Sequence, residues 1–334
     1  MTYIYLGETM RILIVGGTGF LGAATATAAV NAGHDTTVLT RTGPVVTGAT
    51  ALVADRMALP DLQGQFDAVI DTCAYGPDHV AALHDALGSV GQYILVSSIS
   101  AYDDLSQPNA DEAAPASPAT PQQIAAYPVR EHGADAMAYG SAYGPLKRSC
   151  ELRALDWVPG AALIRLGLIV GPGDKTDRFT WWLRRIDQGG QVPVPMDQKV
   201  QLIDVADAGR FLVHMAETGQ GGVLNLTGEA SALTDMLAKA VAVAGAKTVL
   251  APRDIAEFAK AEVAFWTDLP MVVPPDGKAA GMLDVSTARA RKAGLVTRPL
   301  AQTIADTLAW DRGRRDVPLT CGLSAAQEAR ILNG

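Results

Sequence analysis

Short apolar runs alternate with helix-like stretches through the first half of the chain. Met10-Arg11-Ile12-Leu13-Ile14-Val15 is rich in β-branched residues and stops at glycines, the pattern of a strand buried on both faces. Leu21 to Asn31 carries alanine at almost every turn and predicts a helix ending at Gly33. Further strands are expected at Asp35 to Leu39, Ala51 to Val53, Phe66 to Asp71 and Gln92 to Val96, with a helix at His79 to Leu87. This alternation commits the sheet to parallel strands joined by right-handed crossovers. Ser106 to Thr120, dense in Pro, Ala, Asp and Ser, reads as a surface loop. Ser141 to Leu155 predicts a long helix, and Ala162 to Val170 one buried strand before Gly171-Pro172-Gly173.

Beyond residue 175 the pattern loosens. Arg178 to Asp187 predicts a helix with a broad aromatic side, including Phe179, Trp181 and Trp182, where core packing is expected ahead of a pocket wall. Leu202 to Val205 and Val223 to Leu226 read as short strands around a helix at Val205 to Glu217. Ala232 to Ala244, Asp254 to Ala261, Val285 to Ala293 and Leu300 to Gly313 are expected helices. Residues 1–175 are therefore expected to form the main domain. Residues 176–334 are expected to form mainly a smaller, mostly helical substrate lobe, with strands returning to the main sheet. Residues 1–9 read as an upstream extension, with an edge strand at Tyr3 to Leu6 as the competing reading.

With 334 residues, 49% of them hydrophobic, the chain can bury a large core. A net charge of -8 gives no electrostatic reason to expect nucleic acid or an anionic membrane, so a small-molecule substrate becomes the expected partner. The longest greasy runs are too short to span a bilayer. The first residues lack a basic leader and an apolar core, which points to the cytoplasm. Cys73, Cys150 and Cys321 are dispersed with no CxxC or HExxH, so no metal is expected. His34, His79, His84, His132 and His214 are scattered and expected on surfaces or loops.

The first strand runs directly into Gly16-Gly17-Thr18-Gly19-Phe20-Leu21-Gly22. Three glycines in GxxGxxG spacing permit a tight turn and bring a pyrophosphate close to unpaired amides at a helix start. Placed between a strand and a helix, the motif predicts an α/β Rossmann fold, a doubly wound parallel sheet. Cofactor contacts are expected from Gly16, Thr18, Gly19, Phe20, Leu21 and Gly22. Strand two ends at Thr40-Arg41, where an NAD site usually carries an acid, so NADP(H) is expected over NAD(H), with Arg41 meeting a 2'-phosphate. Asp55 is a candidate for the adenine amine, and Ala74 for the nicotinamide ribose.

Tyr143 and Lys147 form YxxxK, which places both on one helical face. A lysine one turn away sets a positive charge beside a phenol that exchanges a proton with an alcohol or carbonyl. Strand five leads into Ser97-Ser98, where the Ser98 hydroxyl would orient the same oxygen. Ser98, Tyr143 and Lys147 are the candidate catalytic residues.

From Met10 to about Thr227 the chain resembles the extended short-chain dehydrogenase/reductase family, also called the NAD-dependent epimerase/dehydratase family. The likeness rests on the glycine motif, Tyr143 and Lys147, Ser98 four residues before Tyr102, Gly171-Pro172-Gly173, and Ile203-Asp204-Val205. It implies a substrate oxygen bonded to Tyr143 and Ser98, with Lys147 on the nicotinamide ribose, and a homodimer. The family's arginine-proline pair is half matched, as Leu166 follows Arg165, which weakens the carry-over of sugar-nucleotide binding. The first expectation is an NADP-dependent carbonyl reductase or alcohol dehydrogenase acting on a small polar, sugar-like or lactone-like molecule. An NAD(P)-dependent epimerase of a sugar or sugar nucleotide is the alternative. A non-catalytic NADP sensor or RNA-binding protein is a further class, disfavoured by the intact Tyr143 and Lys147 and by the negative charge.

Overall fold

Successive β-branched residues of the first strand face opposite ways, so a sheet covered by helices on both faces follows from the sequence. The computed structural model describes residues 8–132 and 136–333. The Tyr3 to Leu6 reading lies outside them. Seven strands, β1 (Arg11–Val15), β2 (Asp35–Thr40), β3 (Thr50–Val53), β4 (Ala68–Asp71), β5 (Gln92–Ser98), β6 (Ala162–Leu166) and β7 (Gly222–Leu226), form one sheet. Their order is β7-β6-β5-β4-β1-β2-β3, and every pairing is parallel. This is a Rossmann-like core, and the strand order turns back between β1 and β4, which opens a crevice at their carboxyl ends.

The main helices are α1 (Phe20–Asn31), α2 (Pro77–Leu87), α3 (Tyr143–Trp157), α4 (Arg178–Asp187), α5 (Val205–Thr218), α6 (Leu233–Ala244) and α7 (Leu300–Arg312). On one face Ile12 and Ile14 pack with Leu21 of α1 and Leu212 of α5. On the other, Leu13 and Val15 pack with Leu83 of α2 and Ala154 of α3. A separate core in the mostly helical C-terminal lobe joins α4, α6 and α7. Phe179, Trp181 and Trp182 are buried in it, so the aromatic side of α4 is core.

Three expectations need correction, and one element is new. The single strand at Ala162 to Val170 divides at Gly167: β6 stays in the main sheet, while Leu168–Val170 leaves to pair with Leu202–Asp204. A Cβ at Gly167 would lie 2.9 Å from the Thr227 side chain, so the fork needs glycine. The helix expected at Val285 to Ala293 shortens to Ala288–Lys292, because the Gln201 side chain and a bridge to Ala110 hold Val285 extended. Gly190–Pro195 and Thr248–Arg253 form a parallel two-stranded ribbon that sequence reading passed over, since prolines argue against a strand. Finally, His34 and His79 are buried rather than superficial. His34 bonds Glu217 at 3.1 Å, and the His79 ring accepts the Tyr75 amide.

Candidate active site

The turn after β1 is shaped by what its glycines exclude. Gly16 has φ of 81°, and a Cβ at Gly22 would lie 2.1 Å from the Gly16 carbonyl oxygen, so α1 packs directly on the turn. Gly19 caps α1 with no side-chain hydrogen bond and no acidic residue stands in the first turn, which leaves the terminal amides to an anion. This cradle fits the pyrophosphate of a dinucleotide. Thr18 and Gly19 are exposed and Phe20 half-buried at its mouth, whereas the Leu21 side chain is turned into the core. Only the Leu21 backbone is available to the cradle.

The outer residues are less fixed. Asp55 is exposed and accepts the Met57 amide at 2.8 Å. Arg41 is exposed and makes no hydrogen bond or ion pair with the described residues. The Thr40 hydroxyl donates to the Thr42 carbonyl at 2.7 Å.

Across the crevice, Tyr143 opens α3 directly after a 3-10 turn, Ala136–Ala142. Lys147, one turn later, is buried; its Nζ donates to the carbonyls of Ala74 at 2.7 Å and Val96 at 2.9 Å. The same Nζ stands 5.8 Å from the Tyr143 ring and 4.8 Å from the Tyr75 ring. Tyr75 is tilted against Tyr143, and burial pushes its phenol above its ordinary value, helped by Tyr143. Ser98 ends β5, and its Oγ accepts the Ser100 amide at 3.0 Å. A Cβ at Gly144 would meet the Ser100 carbonyl oxygen at 1.9 Å, so the turn after Ser98 is clamped to the start of α3. Ser97 points elsewhere, donating to Glu151 at 2.6 Å. Lys147 thus ties the helix that carries Tyr143 to Ala74 and to Val96 of β5, the strand that ends at Ser98, while Arg41 and Asp55 are exposed.

Two buried ionic networks brace this crevice, and local sequence patterns did not reveal either. Glu151 on α3 takes Arg165 through two bonds at 2.9 and 2.8 Å, together with Arg148 and Ser97. Burial opposes the charge of Glu151, but these donors hold its carboxyl below the usual range. Arg165 also lies 4.4 Å from the Tyr102 ring centre and is buried. At the end of β4, Asp71 is fully buried and accepts from Arg56, Tyr93 and the Cys73 amide. The signal for Asp71 was an acid closing an otherwise apolar run, Ala68-Val69-Ile70-Asp71.

The sheet, the turn and the crevice define a dinucleotide-binding α/β protein. A model of the NAD dependent epimerase/dehydratase family matches residues 12–227, and the chain belongs to that family. It is an NAD(P)-dependent oxidoreductase/epimerase by that membership. No curated protein sequence matches it significantly. Among solved structures it is similar to Bordetella bronchiseptica WbmG in complex with NAD and UDP, at 17% identity and a TM-score of 0.62 over 93% of this chain and 97% of that one. It is also similar to MoeE5 in complex with UDP-glucose and NAD, at 19% identity and a TM-score of 0.59 over 91% and 99%. The UDP-N-acetylglucosamine 4-epimerase of Bacillus cereus matches at 18% identity with a TM-score of 0.60 over 93% and 99%.

These findings overturn the NADP(H) expectation. The family is described as NAD dependent, and WbmG and MoeE5 were solved with NAD. The physical reason is that residue type alone does not make a site. A 2'-phosphate needs donors fixed in a fork. Arg41 is an exposed side chain that nothing among the described residues orients.

Among the described residues no helix is long and apolar enough to cross a membrane.

Proposed function

We propose that the protein is an NAD-dependent epimerase of a sugar nucleotide or a related sugar derivative. What supports this reading most is the buried Lys147 beside Tyr143, on a helix clamped to the turn that follows Ser98. When bound, NAD supplies a hydride acceptor and donor. Tyr143 exchanges a proton with the substrate hydroxyl, Ser98 orients that oxygen, and Lys147 bonds the ribose of the cofactor while fixing the Ala74 and Val96 backbone. Residues 1–175 hold the cofactor in this reading, and residues 176–334 mainly shape the substrate site. A homodimer belongs to it on family grounds, and sedimentation of the NAD-bound protein tests that.

One observation favours net carbonyl reduction of a smaller molecule as a second reading. Arg165 gives Nε and Nη2 to Glu151, so its charge is already paired even though Nη1 is buried without a partner among the described residues. The deciding experiment incubates the NAD-bound protein with UDP-glucose, UDP-N-acetylglucosamine and free sugars, following nicotinamide absorbance and product configuration together. Inversion with no lasting absorbance change is the expected result. Stoichiometric NADH accumulation would replace epimerisation by net oxidation and reduction, and turnover unaffected in Tyr143→Phe would remove the assigned chemistry.

A further inference from the structure

Most arginines of the described residues are spoken for by a carboxylate. Arg178 is not: it is half-buried and opens α4, yet makes no ion pair or hydrogen bond with them. Its Nε is buried with no partner among the described residues, as are Arg56 Nε and Arg165 Nη1, but those two arginines are paired with a carboxylate through their other nitrogens. The two acids that precede it in sequence make their hydrogen bonds to other groups. Asp177 accepts from Arg314 at 2.8 Å and the Thr320 amide at 3.1 Å, and Asp174 takes the amide and hydroxyl of Thr176. A half-buried guanidinium with an orphaned donor is costly to keep unless something else satisfies it.

What Arg178 does touch is a ring. Its guanidinium carbon stands 4.8 Å from the centre of Trp266. Trp266 itself has φ of 72°, a left-handed conformation that a bulky residue rarely adopts, fixed by its amide pointing to the carbonyls of Leu269 and Val272. Strain of this kind is retained where the surroundings over-determine it, and ligand clamps are one such place. The loop that delivers Arg178 also borders the cofactor cradle, because a Cβ at Gly173 would lie 3.7 Å from the Phe20 ring. A guanidinium set over an aromatic face is steadied there, and its planar array of N–H groups matches an oxyanion that accepts two bonds.

We propose that Arg178, braced by Trp266, binds the negatively charged oxygen group of the substrate, a phosphate or a carboxylate. The inference rests on the sugar-substrate reading and deepens it, supplying a cation that no carboxylate has paired, as Glu151 has paired Arg165.

The test titrates the NAD-bound full chain with UDP, UDP-glucose, glucuronate and glucose by calorimetry, for the wild type, Arg178→Gln and Arg178→Lys. At least one charged probe should bind the wild type, and Arg178→Gln should weaken it about 10- to 100-fold, the value of a charge-assisted hydrogen bond. Arg178→Lys should recover only part, since it restores a point charge without the fork. Glucose and NAD affinities should stay level. UDP against glucuronate tells phosphate from carboxylate. Should Arg178→Gln fail to fold, Trp266→Leu leaves the charge but removes its brace, and should weaken the same probe several-fold. Equal binding of the charged probe to wild type and variants overturns the inference, as does the absence of binding by every charged probe. Arg178-dependent binding without sugar inversion would keep this site and discard epimerisation. Inversion insensitive to Arg178 would do the reverse.

Discussion

Replacing Arg56 by methionine tests how the crevice is held. Asp71 is wholly buried, and Arg56 gives it two of its four hydrogen bonds, at 3.1 and 2.7 Å, leaving Tyr93 at 2.8 Å and the Cys73 amide at 3.1 Å. Removing one member of a buried pair costs ~3–5 kcal/mol, because the other charge is stranded. Unfolding entropy of about 2.1 cal/mol/K per residue gives ~0.7 kcal/mol/K for a chain of this length, so the melting temperature should drop by ~4–7 °C.

The sign of the pH dependence is specific. Burial raises the carboxyl of Asp71, and the charge and hydrogen bonds of Arg56, with Tyr93 and Cys73, bring it below its usual value. Its contribution in the wild type is therefore complete above the unfolded value of 3.8 and is lost only as pH falls through the lower folded one. In Arg56→Met burial is left unopposed by a cation, the carboxyl moves up, and the deficit is largest at and above neutrality. It should narrow as pH falls from neutrality towards the unfolded value of 3.8 and the carboxyl takes a proton. The double variant Arg56→Met/Asp71→Leu should recover most of the loss, since no charge is stranded. Calorimetric melting across that pH range is the assay. A drop under about 1 °C, or a deficit independent of pH, refutes the reasoning.

Gly22→Ala should push α1 off the glycine turn, given the 2.1 Å approach to the Gly16 carbonyl, and weaken NAD by roughly tenfold or more in a fluorescence titration. Arg41→Ala should change NAD affinity by no more than about twofold, because an exposed, unfixed cation contributes little. Tyr143→Phe should lower kcat by about 10²- to 10⁴-fold while NAD titrates as in the wild type. Glu151→Gln should lower the melting temperature by an amount comparable to Arg56→Met, since it strands the buried Arg165.

What could be read from the sequence was whatever repeats locally. β1, the glycine turn and α1 follow from apolar period and glycine spacing over about 20 residues, and Tyr143 and Lys147 share a face by helical geometry alone. The supports of the site are different in kind. Arg56 and Asp71 are 15 positions apart, and Glu151 and Arg165 are 14 apart, on elements that meet only once the sheet has its register. A window that counts hydrophobic periods registers each as a polar interruption and cannot see the partner. Arg41 shows the converse error: a charged residue at a motif position looks like a ligand contact, although nothing among the described residues holds it in place. Arg178 looked like an ordinary helix start for the same reason, since its distinction lies in the acids beside it being turned to Arg314, Thr320 and Thr176. Function in this chain therefore depends less on which charges are present than on which are already paired, and pairing is a property of the folded chain.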